Sequence, residues 1–460
     1  MAETYDAIII GVGQAGDPLA RALAKAGRRV IIVERDVVGG TCVNRGCTPT
    51  KTMAASARVA YLARRGADFG VQTGPVTVDL TKVRQRKRDI VVDFRDGEKK
   101  HLEATDGVDL IFGEAKFTGP KTVEITLRDG GTQQVTAEQI FINTGARPIV
   151  PKIEGLDQIE YLDSTSAMEL SAVPEHLIIL GGSYIALEFG QMFRRFGSEV
   201  TVIDQSKRTM EREDVDVAEE ITKILTEDGL SIITEAKATG VQKSEAGITL
   251  TLETKSGEQK VTGSHLLLAV GRTPNTEALD LPAAGIDADE HGFIKVSGTL
   301  ETNVPGVYAL GDIKGGPEFT HIAYDDFRII RTNLLEHGSR TTANRLVPYT
   351  MFTDPQLGRV GMTEADAKKA GKSIQVAKIP MSEVARGIET DETRGFLKAV
   401  VDADTQQILG ASILAVDGGE IMATLEVAMM GHLPYMALRD ATLAHPTLAE
   451  SLNNLFMTLE

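Results

Sequence analysis

The two cysteines of the chain, Cys42 and Cys47, lie in the segment 39–51 and could support thiol chemistry. So few cysteines in 460 residues do not form a disulfide scaffold, and without a nearby histidine they fall short of a zinc site. A redox-active disulfide and two unrelated buried thiols remain as interpretations. The spacing favours the disulfide if the helical turn is distorted, because five residues of straight helix span roughly 7.5 Å. Gly46 permits that distortion, and a thiol at a helix start is favoured as thiolate.

A nucleotide-binding unit is predicted at the N-terminus. A buried strand at residues 5–10 enters a glycine turn at Gly11, Gly13 and Gly16, and a second strand ends in Glu34. Glycines at these positions let the backbone approach a pyrophosphate at the helix N-terminus, and the acid binds ribose hydroxyls. The alternative is an ordinary tight turn between strand and helix.

A second unit repeats this pattern at residues 177–204. Asp204 lies 23 positions after Gly181, the spacing that also separates Glu34 from Gly11. Gly182 follows Gly181, but Ser183 and Ala186 stand where glycine is usual. Because both are small, the repeat still predicts a second bound dinucleotide.

Two side chains of the second unit bear on the nicotinamide cofactor. Asp204 can accept hydrogen bonds from a ribose 2′-hydroxyl and repels a 2′-phosphate, which favours NADH. Lys207 and Arg208 could instead bind that phosphate, so NADPH stays open. Tyr184 is either a lid over the nicotinamide pocket or a packing residue.

Later segments supply the last strands of the two nucleotide-binding units, and a segment without a nucleotide fingerprint follows them. Residues 140–146 form a strand ending at Gly145, residues 266–276 contain Gly271, and residues 307–312 form a strand ending at Asp312. Asp312 could bind a ribityl hydroxyl or cap the next helix. After residue 347 strands are predicted at 374–380 and 396–401 and a helix at 420–430, without a nucleotide fingerprint.

His445 and Glu450 lie one irregular turn apart near the C-terminus. A carboxylate can orient an imidazole and support its protonated form, as acid–base catalysis requires. The alternative is a histidine without a role at a helix start.

Composition excludes several classes of function. A net charge of −16 argues against nucleic acid and anionic membrane surfaces as partners. No signal peptide and no apolar run of membrane-spanning length are evident. The basic run 82–88 is interpreted as a solvated helix face, and the cysteine content predicts a cytoplasmic protein.

Taken together, these motifs resemble the FAD-dependent pyridine nucleotide–disulfide oxidoreductases, the family of dihydrolipoamide dehydrogenase, glutathione reductase and mercuric reductase. The resemblance implies an α/β, glutathione-reductase-like fold with two Rossmann-like dinucleotide-binding domains and an α+β dimerisation domain. The implied segments are 1–148 and 270–346 for FAD, 149–269 for NAD(P) and 347–460 for dimerisation.

The resemblance further implies FAD and NAD(P)H as cofactors, with NADH favoured and no metal. The residues expected to bind them are Gly11, Gly13, Gly16, Glu34, Thr41, Lys51, Gly145, Asp312, Gly181, Gly182, Tyr184, Asp204 and Gly271.

Catalytic roles are also implied by the resemblance. Cys47 is similar to the thiol nearest the flavin, and Cys42 to the interchange thiol that attacks substrate. His445 resembles the acid–base catalyst, oriented by Glu450 and supplied to the partner subunit of a homodimer.

Lys51 and Glu188 resemble the ion pair near the reactive flavin nitrogen. A Lys51 charge there would stabilise electron density arriving on the isoalloxazine ring. Arg45, between the thiols, departs from the usual apolar residue of dihydrolipoamide dehydrogenases. It could lower a thiol pKa, attract an anionic substrate, or point to solvent.

The predicted function is transfer of electrons from NAD(P)H through FAD and the Cys42–Cys47 disulfide to a small oxidant or disulfide substrate. Segments 315–328 and 433–440 resemble the mercuric-reductase-like branch, which includes a reactive-chlorine-resistance flavoprotein that reduces hypothiocyanous acid. Mercuric reductase activity itself is not expected, because no further cysteine pair is present. The alternatives are a dihydrolipoamide dehydrogenase and a flavoprotein redox sensor.

Overall fold

The computed structural model of the protein describes residues 2–245 and 247–459. They divide between two compact units. The first unit falls within residues 1–52, 82–149 and 271–345, and the second within 53–81, 150–270 and 346–460. The four-segment division expected from the sequence stays a prediction at the level of its boundaries.

The first unit is built on a six-stranded sheet. Its strands are Glu3–Ile10, Val30–Glu34, Val108–Gly119, Thr122–Leu127, Thr132–Ile142 and Val307–Ala309. The first strand pairs in parallel with the second and the fifth, with Ile8 opposite Ile31 and Ile140. The long strands Val108–Gly119 and Thr132–Ile142 also extend into antiparallel pairing with Thr122–Leu127. The parallel strands of this mixed sheet end at one edge, where nucleotides bind in such folds.

Side chains of the first strand alternate between two buried clusters. Ile8 packs with Phe117 on one face of the sheet, and Ile9 packs with Leu19 and Phe327 on the other. Because both faces are covered there, the second half of the strand, residues 7–10, is apolar throughout. Each fully buried side chain of this size contributes about 1.5–3 kcal/mol.

The remaining elements of the first unit surround this sheet. The helices are Gly16–Lys25, Gly40–Arg45, Leu281–Ala284 and Thr320–Leu335, and short 3₁₀ turns cover Glu277–Leu279 and Gly311–Lys314. Two strands, Ala146–Pro148 and Arg272–Pro274, pair antiparallel. The helices Cys47–Arg64 and Leu80–Glu103 each have residues in both units.

The second unit contains a four-stranded parallel sheet and a three-stranded antiparallel sheet in its first half. The parallel strands are His176–Leu180, Glu199–Ile203, Ser231–Ile233 and His265–Leu268, and the antiparallel strands are Ala236–Ser244, Gly247–Thr254 and Gly257–Gly263. The helices are Tyr184–Phe196 and Val215–Glu227, with 3₁₀ turns at Gly66–Phe69, Leu156–Gln158 and Ser166–Glu169.

A five-stranded antiparallel sheet follows after residue 346. Its strands are Tyr349–Met351, Gln356–Gly361, Ile374–Pro380, Phe396–Asp402 and Ile408–Ala415. The helices of this segment are Glu364–Lys369, Ala385–Glu389, Gly418–Met430, Tyr435–Arg439 and Ser451–Met457, with a 3₁₀ turn at Met381–Glu383. One core cluster joins Leu397, Leu425 and Phe456. Among the helices described for this chain, none combines the length and apolar character that crossing a membrane would need.

Candidate active site

The two cysteines lie on either side of a break between two helices. Cys42 belongs to the helix Gly40–Arg45, and Cys47 begins the helix Cys47–Arg64. Gly46 separates them with φ −129° and ψ −114°, outside the helical region. Both thiols are free, Cys42 half-buried and Cys47 exposed. The distortion expected from their spacing is therefore a helix break at Gly46.

The two thiols differ in acidity because one stabilises the other. The pKa of Cys47 is lowered to about 6, chiefly by a hydrogen bond from Cys42 and also by the Thr320 hydroxyl and the Lys51 charge. The same hydrogen bond, together with burial, raises the pKa of Cys42. At neutral pH the pair thus carries its negative charge on Cys47.

Thr320 is a site residue that the sequence analysis missed. Its Oγ1 lies 3.3 Å from Cys47 Sγ, and it is the first residue of the helix Thr320–Leu335. Positive potential at the N-terminus of that helix also favours a nearby thiolate. Because 273 positions separate the two residues, no local sequence pattern predicts the contact.

Arg45 makes an ion pair with Asp36, and both side chains are about half exposed, at 48%. Lys51, not Arg45, is the basic residue that lowers the pKa of Cys47. The role of Arg45 toward the thiols stays a prediction, and its half-exposed side chain agrees with the alternative that it points to solvent.

The first glycine turn is closely packed against the strand Thr132–Ile142. Gly11 has φ +102°, and a Cβ there would lie 2.3 Å from the Asn143 carbonyl oxygen. A Cβ on Gly16 would meet the Gly11 carbonyl at 2.3 Å, and one on Gly13 would meet Asn143 Oδ1 at 2.9 Å. Backbone oxygens therefore leave no room for a side chain at Gly11 and Gly16, whereas at Gly13 the close neighbour is the end of the Asn143 side chain.

Asn143 links the turn to a third segment. Its Oδ1 accepts the Gly16 N–H at 3.0 Å, and its Nδ2 donates to the Leu310 carbonyl at 2.9 Å. The sequence analysis missed this residue, although a polar side chain at the end of a parallel strand is a signal for such a position.

Glu34 lies at the end of its strand beside the turn. Its two carboxylate oxygens accept N–H groups of Val12 at 3.0 Å and of Asp36 at 2.9 Å. Burial raises its pKa, and these hydrogen bonds oppose the rise. A carboxylate has about four acceptor sites. Glu34 thus retains capacity to accept ribose hydroxyls.

The loop before Cys42 lies against the glycine turn. The Gly39 N–H donates to the Val12 carbonyl at 3.0 Å, and a Cβ on Gly40 would lie 2.9 Å from Gly13 Cα. The next residue, Thr41, is exposed. A helix N-terminus lined by glycines, beside a carboxylate with spare acceptor sites, fits the diphosphate and ribose of FAD.

Asp312 lies in the 3₁₀ turn Gly311–Lys314. Its Oδ2 accepts from Arg272 Nη2 at 3.3 Å, and burial raises its pKa against that charge. Asp326, fully buried, accepts the Gly311 N–H at 2.9 Å and pairs with Lys314 Nζ at 3.3 Å. Asp326 therefore holds both ends of the turn that carries Asp312, through the Gly311 N–H and the Lys314 ammonium group.

The second glycine turn resembles the first in backbone but not in side chains. Gly181 has φ +114°, and a Cβ there would lie 2.3 Å from the Ala269 carbonyl oxygen. A Cβ on Gly182 would overlap Asp204 Oδ2 at 1.9 Å. Asp204 Oδ1 accepts the Ser206 N–H at 3.0 Å, and half-buried Tyr184 begins the following helix.

Gly145 and Gly271 lie at the ends of paired segments within the first unit. Gly145 has φ +67°, and its carbonyl accepts the Asn275 N–H at 3.0 Å. Gly271 has φ +127°, and its carbonyl accepts the Ile149 N–H at 3.0 Å. Both residues adopt conformations that favour glycine.

Two further predicted catalytic groups lie within the second unit. Glu188 is buried, and its Oε1 accepts the Phe352 N–H at 2.7 Å. His445 Nδ1 lies 2.9 Å from Glu450 Oε2, and the His445 side chain is 67% exposed. Since Nδ1 faces the carboxylate, Nε2 is the ring nitrogen left for another partner. The Lys51–Glu188 pairing stays a prediction.

Comparison with known proteins assigns the class. The family described as pyridine nucleotide-disulphide oxidoreductase matches residues 5–326, and the dimerisation domain of the same family matches residues 347–456. The chain therefore belongs to the pyridine nucleotide-disulphide oxidoreductases, and it is an enzyme of this flavin-dependent class with a glutathione-reductase-like fold. The predicted family and fold class are confirmed.

Individual members of the family differ in how similar they are to this chain. The chain is 40% identical to the probable pyridine nucleotide-disulfide oxidoreductase RclA of Escherichia coli, with 98% of each chain covered. A solved structure described as a Cu(II) complex of the HOCl-induced flavoprotein disulfide reductase RclA from that organism matches with a TM-score of 0.91 at 38% identity, covering 100% of both chains.

Other relatives are less similar. A mercuric reductase of Staphylococcus aureus is 36% identical, and the chain covers 82% of its length. A dihydrolipoyl dehydrogenase of Thermus scotoductus is 34% identical, with 98% of this chain and 96% of that protein covered. The predicted disulfide oxidoreductase function is confirmed at the level of the class, and the dehydrogenase alternative is the more distant one.

Proposed function

We propose that the protein is a homodimeric, NADH-preferring flavoprotein disulfide reductase that reduces a small oxidant or low-molecular-weight disulfide at Cys42 and Cys47. The carrying observation is the unequal acidity of the two thiols, with the pKa of Cys47 lowered to about 6 and that of Cys42 raised. In such a pair Cys47 is a stable thiolate, and Cys42 is a thiol that becomes nucleophilic when its proton is removed.

The chemistry that bound FAD would supply is transfer of an electron pair between the nicotinamide and the disulfide. Gly11, Gly13 and Gly16 would hold its diphosphate, and Glu34 and Asp312 would hold its sugar hydroxyls. Gly181, Gly182 and Asp204 would hold the nicotinamide dinucleotide. Thr41, Gly145, Tyr184 and Gly271 belong to the same proposal.

The chain's own groups then carry the proton and thiol chemistry. With hypothiocyanous acid as acceptor, His445 of the partner subunit takes the proton of Cys42 as its sulfur attacks the electrophilic sulfur. His445 then gives that proton to the leaving hydroxide, which departs as water. The Cys47 thiolate next attacks Cys42 sulfur and displaces thiocyanate, which closes the disulfide. Glu450 orients His445 and stabilises its protonated form.

A homodimer is part of the proposal because the chain contains the family's dimerisation domain and its His445 side chain is largely exposed. Preference for NADH rests on Asp204, and a cytoplasmic location on the cysteine content. Lys51 and Glu188 are proposed to act near the flavin, where the Lys51 charge also supports the Cys47 thiolate.

The test is an anaerobic titration of the yellow protein with NADH and then NADPH. Two-electron reduction should produce a long-wavelength absorbance band from a thiolate beside oxidised flavin. Because the pKa of Cys47 is lowered, the band should persist at neutral pH and disappear as the pH falls through about 6. Absence of the band at every pH would refute the proposal.

Reoxidation of the reduced protein by a panel of electron acceptors then distinguishes a reductase from a dihydrolipoamide dehydrogenase. Rapid reoxidation by hypothiocyanous acid or a small disulfide supports the reductase, and loss of turnover in Cys42→Ser should accompany it. Reoxidation by lipoamide alone would instead indicate a dehydrogenase. If His445→Ala leaves turnover unchanged, the proton transfer described above is wrong.

A further inference from the structure

The first turn of the helix Gly16–Lys25 carries an acidic side chain at the end of the helix where a diphosphate is proposed to bind. Asp17 directly follows Gly16, and its N–H donates to the Gly13 carbonyl at 3.1 Å. The positive potential of a helix N-terminus extends over its first turn and attracts any anion placed there. A carboxylate at Asp17 therefore competes with a bound diphosphate for the same potential.

Arg21 lies one turn further along this helix and binds both carboxylate oxygens of Asp17. Its Nε donates to Oδ1 at 3.1 Å, and its Nη2 donates to Oδ2 at 2.5 Å. Only 10% of the Asp17 side chain is exposed, against 34% of the Arg21 side chain. The hydrogen bonds with Asp17 raise the pKa of Arg21, and burial opposes the rise. A bidentate pair with one buried partner is stronger than the exposed ion pairs that merely support a helix.

A second acidic residue, Glu98 in the helix Leu80–Glu103, interacts electrostatically with the same pair. Burial and the Asp17 charge raise the pKa of Glu98, and the Arg21 charge is among the influences that oppose the rise. Glu98 Oε1 lies 3.5 Å from Nε2 of Gln14, which belongs to the glycine turn. Arg21 is thus a positive charge near two acidic side chains at the N-terminal end of its helix.

A charge in this turn acts on a diphosphate without touching it. Coulomb energy falls only with the first power of distance, and one helical turn is roughly 5.4 Å long. Without Arg21, the Asp17 carboxylate would cancel part of the N-terminal potential and repel the diphosphate. With Arg21 bound to both oxygens, the pair is neutral, and the potential stays available to the cofactor.

We propose that Arg21 is a positioning residue for FAD, acting through Asp17. It neutralises the carboxylate in the first turn and so keeps the helix N-terminus attractive to the FAD diphosphate, without contacting the cofactor. This inference rests on the FAD site of the proposed function and adds to it a residue outside the glycine fingerprint.

The experiment measures FAD release from the yellow holoenzyme on serial dilution, followed by flavin fluorescence. Because the Asp17 charge is then uncompensated, Arg21→Gln should bind FAD roughly 3- to 10-fold more weakly than the wild type. Asp17→Asn should bind FAD at least as tightly as the wild type. The double variant Asp17→Asn/Arg21→Gln should return to the wild-type affinity, because it is again neutral in the first turn.

Two further measurements separate electrostatics from packing. Lys25→Gln removes the same charge from an exposed position in the last turn of the helix and should leave FAD affinity unchanged. The deficit of Arg21→Gln relative to the wild type should shrink when KCl is raised from about 0.1 M to about 1 M, because the screening length falls from about 10 Å to about 3 Å.

Several outcomes would overturn the inference. Equal FAD affinity of Arg21→Gln and the wild type would remove the role of Arg21. A double variant as weak as Arg21→Gln, or a deficit that salt does not change, would assign the effect to lost packing. Weaker FAD binding by Asp17→Asn would contradict the proposal even if Arg21→Gln did not fold. A wild-type protein that purifies without flavin and binds no added FAD would instead refute the proposed function.

Discussion

The two glycine turns of the chain share their spacing but are supported in different ways. In the first, Gly11 packs against the Asn143 backbone, and the Asn143 side chain bonds Gly16 and Leu310. In the second, Gly181 packs in the same way against Ala269, whose side chain can make no hydrogen bond. The same backbone contact thus comes with a polar side-chain link in one turn and without it in the other.

The acidic residues beside the two turns, Glu34 and Asp204, also differ in how they contact the turn. Glu34 bonds the N–H of Val12, which has a full side chain. Asp204 is one methylene shorter and lies directly over Gly182, where a Cβ would overlap its oxygen. The turn proposed to hold FAD thus has a side-chain link at Asn143 that the turn proposed to hold NADH lacks at Ala269.

The largest expected effect comes from Gly11→Ala. A Cβ at φ +102° and 2.3 Å from a carbonyl oxygen must displace the strand beside the turn. We expect Gly11→Ala to purify without flavin. The equivalent Gly181→Ala should stay yellow and raise the KM for NADH roughly 10- to 100-fold, corresponding to strain of about 1–3 kcal/mol. Flavin absorbance and steady-state kinetics measure both, and loss of flavin from Gly181→Ala would break the distinction.

Asn143→Ala tests the side-chain link of the first turn. The variant leaves the Gly16 N–H and Leu310 carbonyl without partners, at a cost of about 1–3 kcal/mol for each. We expect a lower temperature of FAD release, followed by flavin fluorescence during heating. Glu138→Ala, at an exposed position on the strand Thr132–Ile142 that ends just before Asn143, is the control. Equal release temperatures for both variants would contradict the role of Asn143.

Gly182→Ala tests the contact between Asp204 and the second turn, which differs from that of Glu34 with the first. The added methyl must push Asp204 aside, so the variant should lose affinity for NADH while its affinity for NADPH changes less. We expect a 5- to 20-fold rise in the KM for NADH, corresponding to about 1–2 kcal/mol. In the first turn Val12→Ala should leave FAD binding nearly unchanged. A parallel rise for both dinucleotides would show that Asp204 does not discriminate between them.

The smallest effect is expected from Ala186→Gly, which gives the second turn the third glycine of the first. Ala186 is fully buried in the helix Tyr184–Phe196. Glycine there should destabilise the protein by about 1 kcal/mol with little change in the KM for NADH. Thermal unfolding and kinetics check this. A markedly lower KM would mean that Ala186 restricts access to the dinucleotide.

Both turns and their strands could be predicted from the sequence, because glycine spacing and apolar runs are local signals. The contacts that distinguish the turns could not. Asn143 reaches Gly16 across 127 positions, and Thr320 reaches Cys47 across 273. Such pairs form only when the parallel sheet brings distant strand ends to one edge.

Charged residues were predicted less well than glycines. Arg45 was considered in relation to the thiols on either side, yet its partner is Asp36, nine positions earlier. Lys87, within a run expected to face solvent, is only 3% exposed. The direction of a long, flexible side chain depends on packing and on opposite charges that a sequence pattern does not contain.

The free thiols of Cys42 and Cys47 are the only sulfhydryl groups of the chain. If the pair is the redox centre proposed above, ordinary thiol titration counts active sites: two reactive groups per chain in the reduced form, and none in the oxidised form if the two sulfurs are joined. An alkylated chain observed by mass spectrometry would directly report an inactivated centre, with no background from structural cysteines. The redox state of the protein inside cells could then be read from the one segment that contains both thiols, residues 42–47.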